Sequence, residues 1–466
     1  MKFLNTFFAI ALIFFSGKAF SDPILQNYGD NFVKNLTTDW KVTTGSWSYF
    51  DTAKCYTTPG AICWGNNPTS PYGQPNFIDP LTKSPSPNIQ LDSDEAVVII
   101  LRTPPQVKYY SFVQYLFQIH GQSNPVFASL SDAVNHKKLG TTGSTQIGAA
   151  PFDQYAALVW TADMNTFNTI KVNLLKSGLP AQAINLYPLP SILPTNPAFK
   201  LQYGYGASSD SFSMLMRSAL PAVPKNFESY KTEKPFYVLK VSPVKHETPN
   251  PAPVLGYSIA STGKIEPAGL QLALAKLVNA IKANYETTYT LQNQKVEYSK
   301  ILGWDCISGS SPCLGDNYDA LYSQDLEKSL VVKSVDDFVV IAGVNHQKTG
   351  KATYLNHSVY DMKKVAGIVS VDDSMMTTES ALYHSASTNP KDSITYQNLY
   401  AYIISYNCTG RKFCLQIPAP TPDNPVGLKP GAAFSVYGRS YLEPTSLVRP
   451  LDTEVIQHQV FIATKK

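Results

Sequence analysis

The chain has 466 residues, with 38 Lys and Arg against 34 Asp and Glu and a formal net charge of +4. Charged residues make up only 15%, where about 25% is usual, and no run of Lys or Arg exceeds two residues. Nucleic acid and anionic membrane surfaces demand clustered positive charge, so both are excluded as main partners.

The first residues read as an export signal. Lys2 supplies a positive start, Phe7 to Phe15 is an unbroken apolar run, and Ala19-Phe20-Ser21 offers small residues for a cut after Ser21. No later apolar run reaches the roughly 18 residues of a membrane span, so no integral membrane anchor is expected. Without Lys2 and Lys18 the 38 basic residues fall to 36, against 34 acidic ones. An exported chain, extracellular or periplasmic, meets an oxidising compartment where disulfides persist. The six cysteines stand as Cys55/Cys63, Cys306/Cys313 and Cys408/Cys414, each pair bracketing a turn rich in Gly, Pro, Asn or Ser. Local pairing is expected. No pair has metal-ligand spacing and no His stands at a matching interval, so neither a metal nor a cofactor is expected.

Residues 22–92 lack strong periodicity and read as a loop-rich segment pinned by a disulfide. Trp47, Trp64 and Tyr56 form either an aromatic sugar-binding surface or the anchors of a cluster beneath loops. From Asp94 the pattern sharpens into a first unit, 93–245. AVVIILR reads as a buried strand, KYYSFVQYLFQI as a long second one, and residues 124–140 as a short helix ended by Gly140. QYAALVWTAD is a strand, TFNTIKVNLLKS a helix capped by Asn165, and INLYPLP, SFSMLMRSALP and PFYVLKVSP are strands. Residues 246–324 read as a linker. It holds a Pro-dense spacer, an amphipathic helix over 267–285 (Leu270, Leu274, Leu277, Val278 and Ile281 on one face) and a disulfide loop.

Residues 325–450 read as a second unit, followed by a tail, 451–466. FVVIAG answers VVIILR, ATYLNHSVYD answers KYYSFVQYLF, YAYII answers YAALV, LQIPAP answers NLYPLP, and FSVYGRSYLEP answers FSMLMRSALP. Five matches in the same order predict an internal duplication. The expected fold class is α+β and β-dominated, a pair of mixed sheet and helix units joined by the amphipathic helix.

No complete catalytic motif is present. G-x-S-x-G and H-E-x-x-H are absent. Gly350-Lys351 lacks the upstream glycine and the following hydroxyl of a phosphate loop, and Asp316-Asn317-Tyr318-Asp319 lacks the Gly and Glu of an EF-hand. Two candidate sites remain. Asn345, His346, Lys348 and Lys351 crowd one turn, with His357 on the return strand. His346 suits proton transfer; the plainer reading is a polar turn bonded to itself. The matching turn at Thr103-Pro104-Pro105 has no such groups, so a site here belongs to the second unit alone. Arg217 and Arg439 occupy matching positions. They are either repeated structural salt bridges or a paired anion site at a pseudo-twofold interface. The acidic doublets Asp336-Asp337 and Asp372-Asp373 read as solvated turns, with Ca²⁺ or acid–base roles as the sharper alternative.

The blocks ALVWTAD, PAQAINLYPLP, MLMRSALP, CLGDNYDALY, FVVIAGVNHQKTGKATY and YLEP resemble those of a group of exported proteins from bacteria and microbial eukaryotes. The resemblance covers most of the chain after the signal. It implies a shared architecture and carries no activity. The leading expectation is a non-catalytic binding or interaction protein with an extracellular ligand or protein partner. The alternative is a hydrolase of unrecognised type near His346, with Lys351 and Arg439 as further catalytic candidates and Asn345 and Arg217 as ligand contacts.

Overall fold

A computed structural model describes residues 22–79, 82–258, 260–299, 303–325, 330–376, 379–383 and 395–466. The segment read as an export signal, 1–21, lies outside the described residues.

The fold is α+β and dominated by strands. In the first half, one five-stranded sheet runs in the order Trp40–Thr44, Phe236–Pro243, Ala96–Arg102, Tyr155–Thr161, Ile184–Pro188. In the second half, the corresponding sheet runs Tyr289–Gln294, Gln459–Lys465, Phe338–Val344, Leu399–Ser405, Cys414–Gln416. Only the last pair of each is parallel. A second sheet backs each of these. Its main order is Ser46–Tyr49, Tyr72–Ile78, Ser211–Pro221, Val107–Gln118, Ala128–Ser129 in the first half. In the second half it is Val296–Tyr298, Ala320–Asp325, Ala433–Tyr441, Tyr354–Asp361, Ala366–Asp372. Register agrees too: Arg217 lies opposite Ser111 and Tyr72, and Arg439 opposite Asn356 and Tyr322.

Alternation along the strands builds the layers. Val97, Ile99 and Leu101 face the core between the two sheets of the first half, against Phe112, Met214 and Met216. Their neighbours Ala96, Val98 and Ile100 face outward beneath the helices Pro23–Asn35 and Met164–Lys176, through Leu25, Phe32, Ile170 and Leu174. Both faces are therefore covered, which is why AVVIILR has no polar alternation. In the second half Val339 and Ile341 face the inter-sheet core, and Phe338, Val340 and Ala342 pack under helix Ala268–Tyr285. The remaining faces of the backing sheets turn toward each other. Tyr109, Ala219, Ala320, Tyr354, Tyr441 and Leu442 form a cluster between the halves.

Several expectations are corrected. Residues 22–92 are not mainly loop; they supply the helices Pro23–Asn35 and Thr52–Thr57 and the strands Trp40–Thr44, Ser46–Tyr49 and Tyr72–Ile78. Residues 451–466 are not a tail, since Gln459–Lys465 lies inside a sheet. The 267–285 helix does not join the halves; its apolar face is spent on the second half's own sheet. Residues 124–140 form no helix. Val126, Ala128 and Leu130 enter one core at a period of two, and the segment makes two short strands. The helix cap at 163–165 is Asp163, whose carboxylate accepts from Thr166 N at 2.7 Å, rather than Asn165. All three local disulfides are present, with Cα–Cα distances of 5.8, 5.7 and 5.6 Å.

Candidate functional site

The turn after Phe338–Val344 is buried, and its polar groups are taken up by the fold. Asn345 Nδ2 donates to Met376 O at 2.9 Å, and its Oδ1 accepts from Gln347 N. His346 Nδ1 pairs with Glu266 Oε1 at 2.8 Å. Glu266 also accepts from Thr349 Oγ1 at 2.5 Å and Ile456 N at 2.7 Å. Burial opposes ionisation of Glu266, but His346 and these donors hold its carboxyl below the usual range. Lys351 Nζ reaches Glu443, Glu454 (3.3 Å) and Lys264 O (2.7 Å). Lys348 Nζ donates to Gln397 O at 2.7 Å. His357 bonds Tyr400 OH and packs edge-on to His458, with ring centroids 4.5 Å apart. Neither His346 nor Lys351 lines the 400 Å³ cavity that holds both arginines. The group is a clamp that fastens segments 261–266 and 443–456 to the turn. The doublets are likewise engaged: Asp336 pairs with Lys465, Asp337 accepts from Ser334 N, Asp373 pairs with Lys108, and Asp372 accepts from Ser374 N.

Arg217 and Arg439 are brought together. Both line one cavity of about 400 Å³ between the halves, within the range of small-molecule sites. Neither has a carboxylate within salt-bridge distance among the described residues, so the paired salt-bridge reading fails. Arg217 instead donates to the backbone oxygen of Gly315, in the other half. Arg439 donates to Gly65 O, also in the other half, at 3.1 Å. Each guanidinium lies over two tyrosine rings of its own half. Arg217 is 5.2 Å from the centroid of Tyr72 and 5.7 Å from that of Tyr115; Arg439 is 5.6 Å from Tyr322 and 5.3 Å from Tyr360. Such contacts contribute about 0.5–2 kcal/mol each, short of the several kcal/mol lost in desolvating a cation. In both arginines Nη1 is buried without a hydrogen-bond partner.

Two disulfide-headed loops make this geometry, and each belongs to one half while binding the other. Cys63 N and Gly65 N donate to Lys364 O and Val365 O at 2.8 and 2.7 Å. Cys313 N and Gly315 N donate to Val126 O and Phe127 O at 2.7 and 2.8 Å. Tyr360 OH donates to Asn66 O at 2.8 Å, and Tyr115 OH to Asp316 O at 2.9 Å. Farther in, Asn67 Nδ2 donates to Tyr354 OH, and Asn317 Nδ2 to Tyr109 OH. The pattern is symmetric except where residue types differ. Asn66 in one loop is Asp316 in the other, a half-buried carboxyl that burial pushes up and Ser129 holds by two hydrogen bonds.

The cavity wall is strained. Trp64 (φ 56°), Phe127 (39°), Leu314 (57°) and Val365 (49°) all hold left-handed backbone and all line it. Such conformations cost of order 1–3 kcal/mol each for bulky residues and concentrate at functional sites. On this wall Trp64 meets Phe117 and Phe127 edge-to-face at 5.9 and 5.5 Å, and the two Phe rings are tilted against each other at 5.5 Å. Trp47 is elsewhere, stacked on Phe236 at 3.7 Å, and Tyr56 bonds Asp361 and Gly427 O. The three aromatics therefore form no common sugar-binding surface.

Sequence reasoning reached both arginines and missed Tyr72, Tyr322, Gly65 and Gly315. The signal was present. Cys63-Trp64-Gly65-Asn66-Asn67 and Cys313-Leu314-Gly315-Asp316-Asn317 are a sixth echo between the halves, placed in segments read as lead-in and linker.

No family model matches the chain, and no curated protein matches it. Among solved structures it is similar to a crystal structure of an uncharacterized protein from Burkholderia cenocepacia. The identity is 13%, over 96% of this chain and 91% of that one, with a TM-score of 0.38.

Proposed function

We propose that this is an exported, non-catalytic binding protein whose ligand occupies the cavity between the two halves. One observation carries the reading: two buried cations, supplied by matching strands and with no carboxylate in salt-bridge distance among the described residues, line the same 400 Å³ space. Buried charge without compensation is destabilising and is retained where it serves recognition. The three disulfides support an oxidising location, and no helix among the described residues is long and apolar enough to cross a membrane. The matching strand orders and registers support the internal duplication, which would have created the cavity on its pseudo-twofold axis. The hydrolase alternative loses its support, because His346 and Lys351 are buried in carboxylate pairs and do not line this cavity.

The test is a thermal-shift screen of the purified protein against glycans, lipids, peptides and small organic acids, with recovery of each hit by mass spectrometry. A stabilising compound recovered unchanged is expected. Hydrolysis of a hit that His346→Ala abolishes would overturn the reading, as would a screen in which no class shifts the melting temperature.

A further inference from the structure

Resting on the binding reading, we infer that the ligand is an aromatic acid, a flat apolar body carrying one anionic group held between Arg217 and Arg439. The charge argument comes first. Both guanidinium groups line one cavity, together with Gly65 and Gly315, whose carbonyls they bond, and Tyr72 and Tyr322, whose rings they cover. A guanidinium has five N–H donors and no acceptor. Each one here gives a hydrogen bond to a glycine carbonyl and keeps an unmatched Nη1. Asp316 is the acidic side chain on the wall; its carboxylate is occupied by Ser129 N at 2.7 Å and Ser129 Oγ at 2.5 Å, and it makes no ion pair with Arg217. An anion entering this space meets two cations with no directly paired carboxylate among the described residues, Arg217 feeling Asp316 only at longer range, in a desolvated setting where charge-assisted hydrogen bonds are strongest.

The rest of the wall selects the body of the ligand. Trp64, Phe117, Phe127, Tyr360 and Tyr437 present ring faces and edges, which favour a flat π-system over a flexible polar one. Gln74 and Gln324 occupy matching places on the two sides and offer neutral donors and acceptors for a substituent. A sugar or a peptide would leave most of this apolar surface without a partner, and an inorganic anion would leave the aromatic wall empty.

The probe pair is 1-anilinonaphthalene-8-sulfonate and N-phenyl-1-naphthylamine, the same skeleton without the sulfonate. Both are titrated by fluorescence against the folded, disulfide-intact protein. The expected result is saturable one-to-one binding of the sulfonate, with the neutral probe at least about tenfold weaker, the discrimination of one charged hydrogen bond. Arg217→Met and Arg439→Met should each erase most of that difference. Should either variant fail to fold, the wild-type comparison still decides, and Leu215→Trp fills the cavity while leaving both arginines in place; it should abolish binding of the sulfonate. Equal affinity for the two probes would overturn the anionic class and leave the binding reading standing. Stoichiometric binding that survives Leu215→Trp, or no stoichiometric binding of the sulfonate, would also overturn the inference, and the broader ligand screen then tests the binding reading by itself.

Discussion

Lys351→Met separates a structural clamp from a functional site. Lys351 Nζ is shared between Glu443 and Glu454, and all three side chains are at most 5% exposed. Removing the cation leaves two carboxylates buried among groups arranged to meet an ammonium. Breaking a buried pair in this way costs about 3–5 kcal/mol. Lys264 O also loses its partner at 2.7 Å; Ser261 Oγ and Gly263 N, both 2.6 Å from Glu454, retain their acceptor and keep the loss from running higher. For a unit of the second half's size, this is a fall in melting temperature of about 6–20 °C. The assay is chemical denaturation of wild type and variant at neutral pH, with affinity for a screened ligand measured below the melting transition. Ligand affinity should be unchanged within about twofold. A stability loss under about 1 kcal/mol would refute the claim that the cluster clamps the fold, and lost binding in a fully folded variant would refute its separation from the site.

Gly315→Ala should destabilise by about 2–5 kcal/mol, left-handed strain plus overpacking, since φ is +70° and a Cβ would lie 2.7 Å from the Phe127 ring; Gly65→Ala, at φ +66° with open space around it, should lose only the strain, about 1–2 kcal/mol, and equal losses in denaturant would contradict the packing described. Burial, with the neighbouring His346 adding to it, lowers His458 to about 3. Its folded value lies below the unfolded one, so the stability it contributes is complete above about pH 6.5 and falls by about 1.4 kcal/mol per pH unit on acidification toward the folded value. His458→Gln should remove that share of the slope, and parallel pH–stability curves for wild type and variant would show that His458 is not held neutral. Peptide mapping without reductant should yield 55–63, 306–313 and 408–414 and no other linkage.

The strands of the outer sheets were legible because both of their faces are covered. AVVIIL and FVVIAGV are apolar throughout, and SFSMLMRSALP and FSVYGRSYLEP stand out as strand-like segments that each carry one arginine at matching positions. That match pointed to Arg217 and Arg439. What surrounds them was not legible, since Gly65, Gly315, Tyr72 and Tyr322 act across the halves and their local sequence shows only turn residues and short edge strands. The turn from Asn345 to Lys351 misled for a related reason. His346 and Lys351 resemble exposed polar turn residues, and their carboxylate partners lie 80 to 103 positions away in sequence. Helix Pro23–Asn35 was missed because its buried face is narrow, with Leu25, Gly29 and Phe32 alone fully covered.

The most direct measurement of the central claim is a crystal structure of the protein saturated with a compound that the ligand screen selects. The account predicts density for that compound in the cavity between the halves, with its polar group within hydrogen-bond distance of Arg217 or Arg439. A compound bound elsewhere, with the cavity holding only solvent, would contradict it.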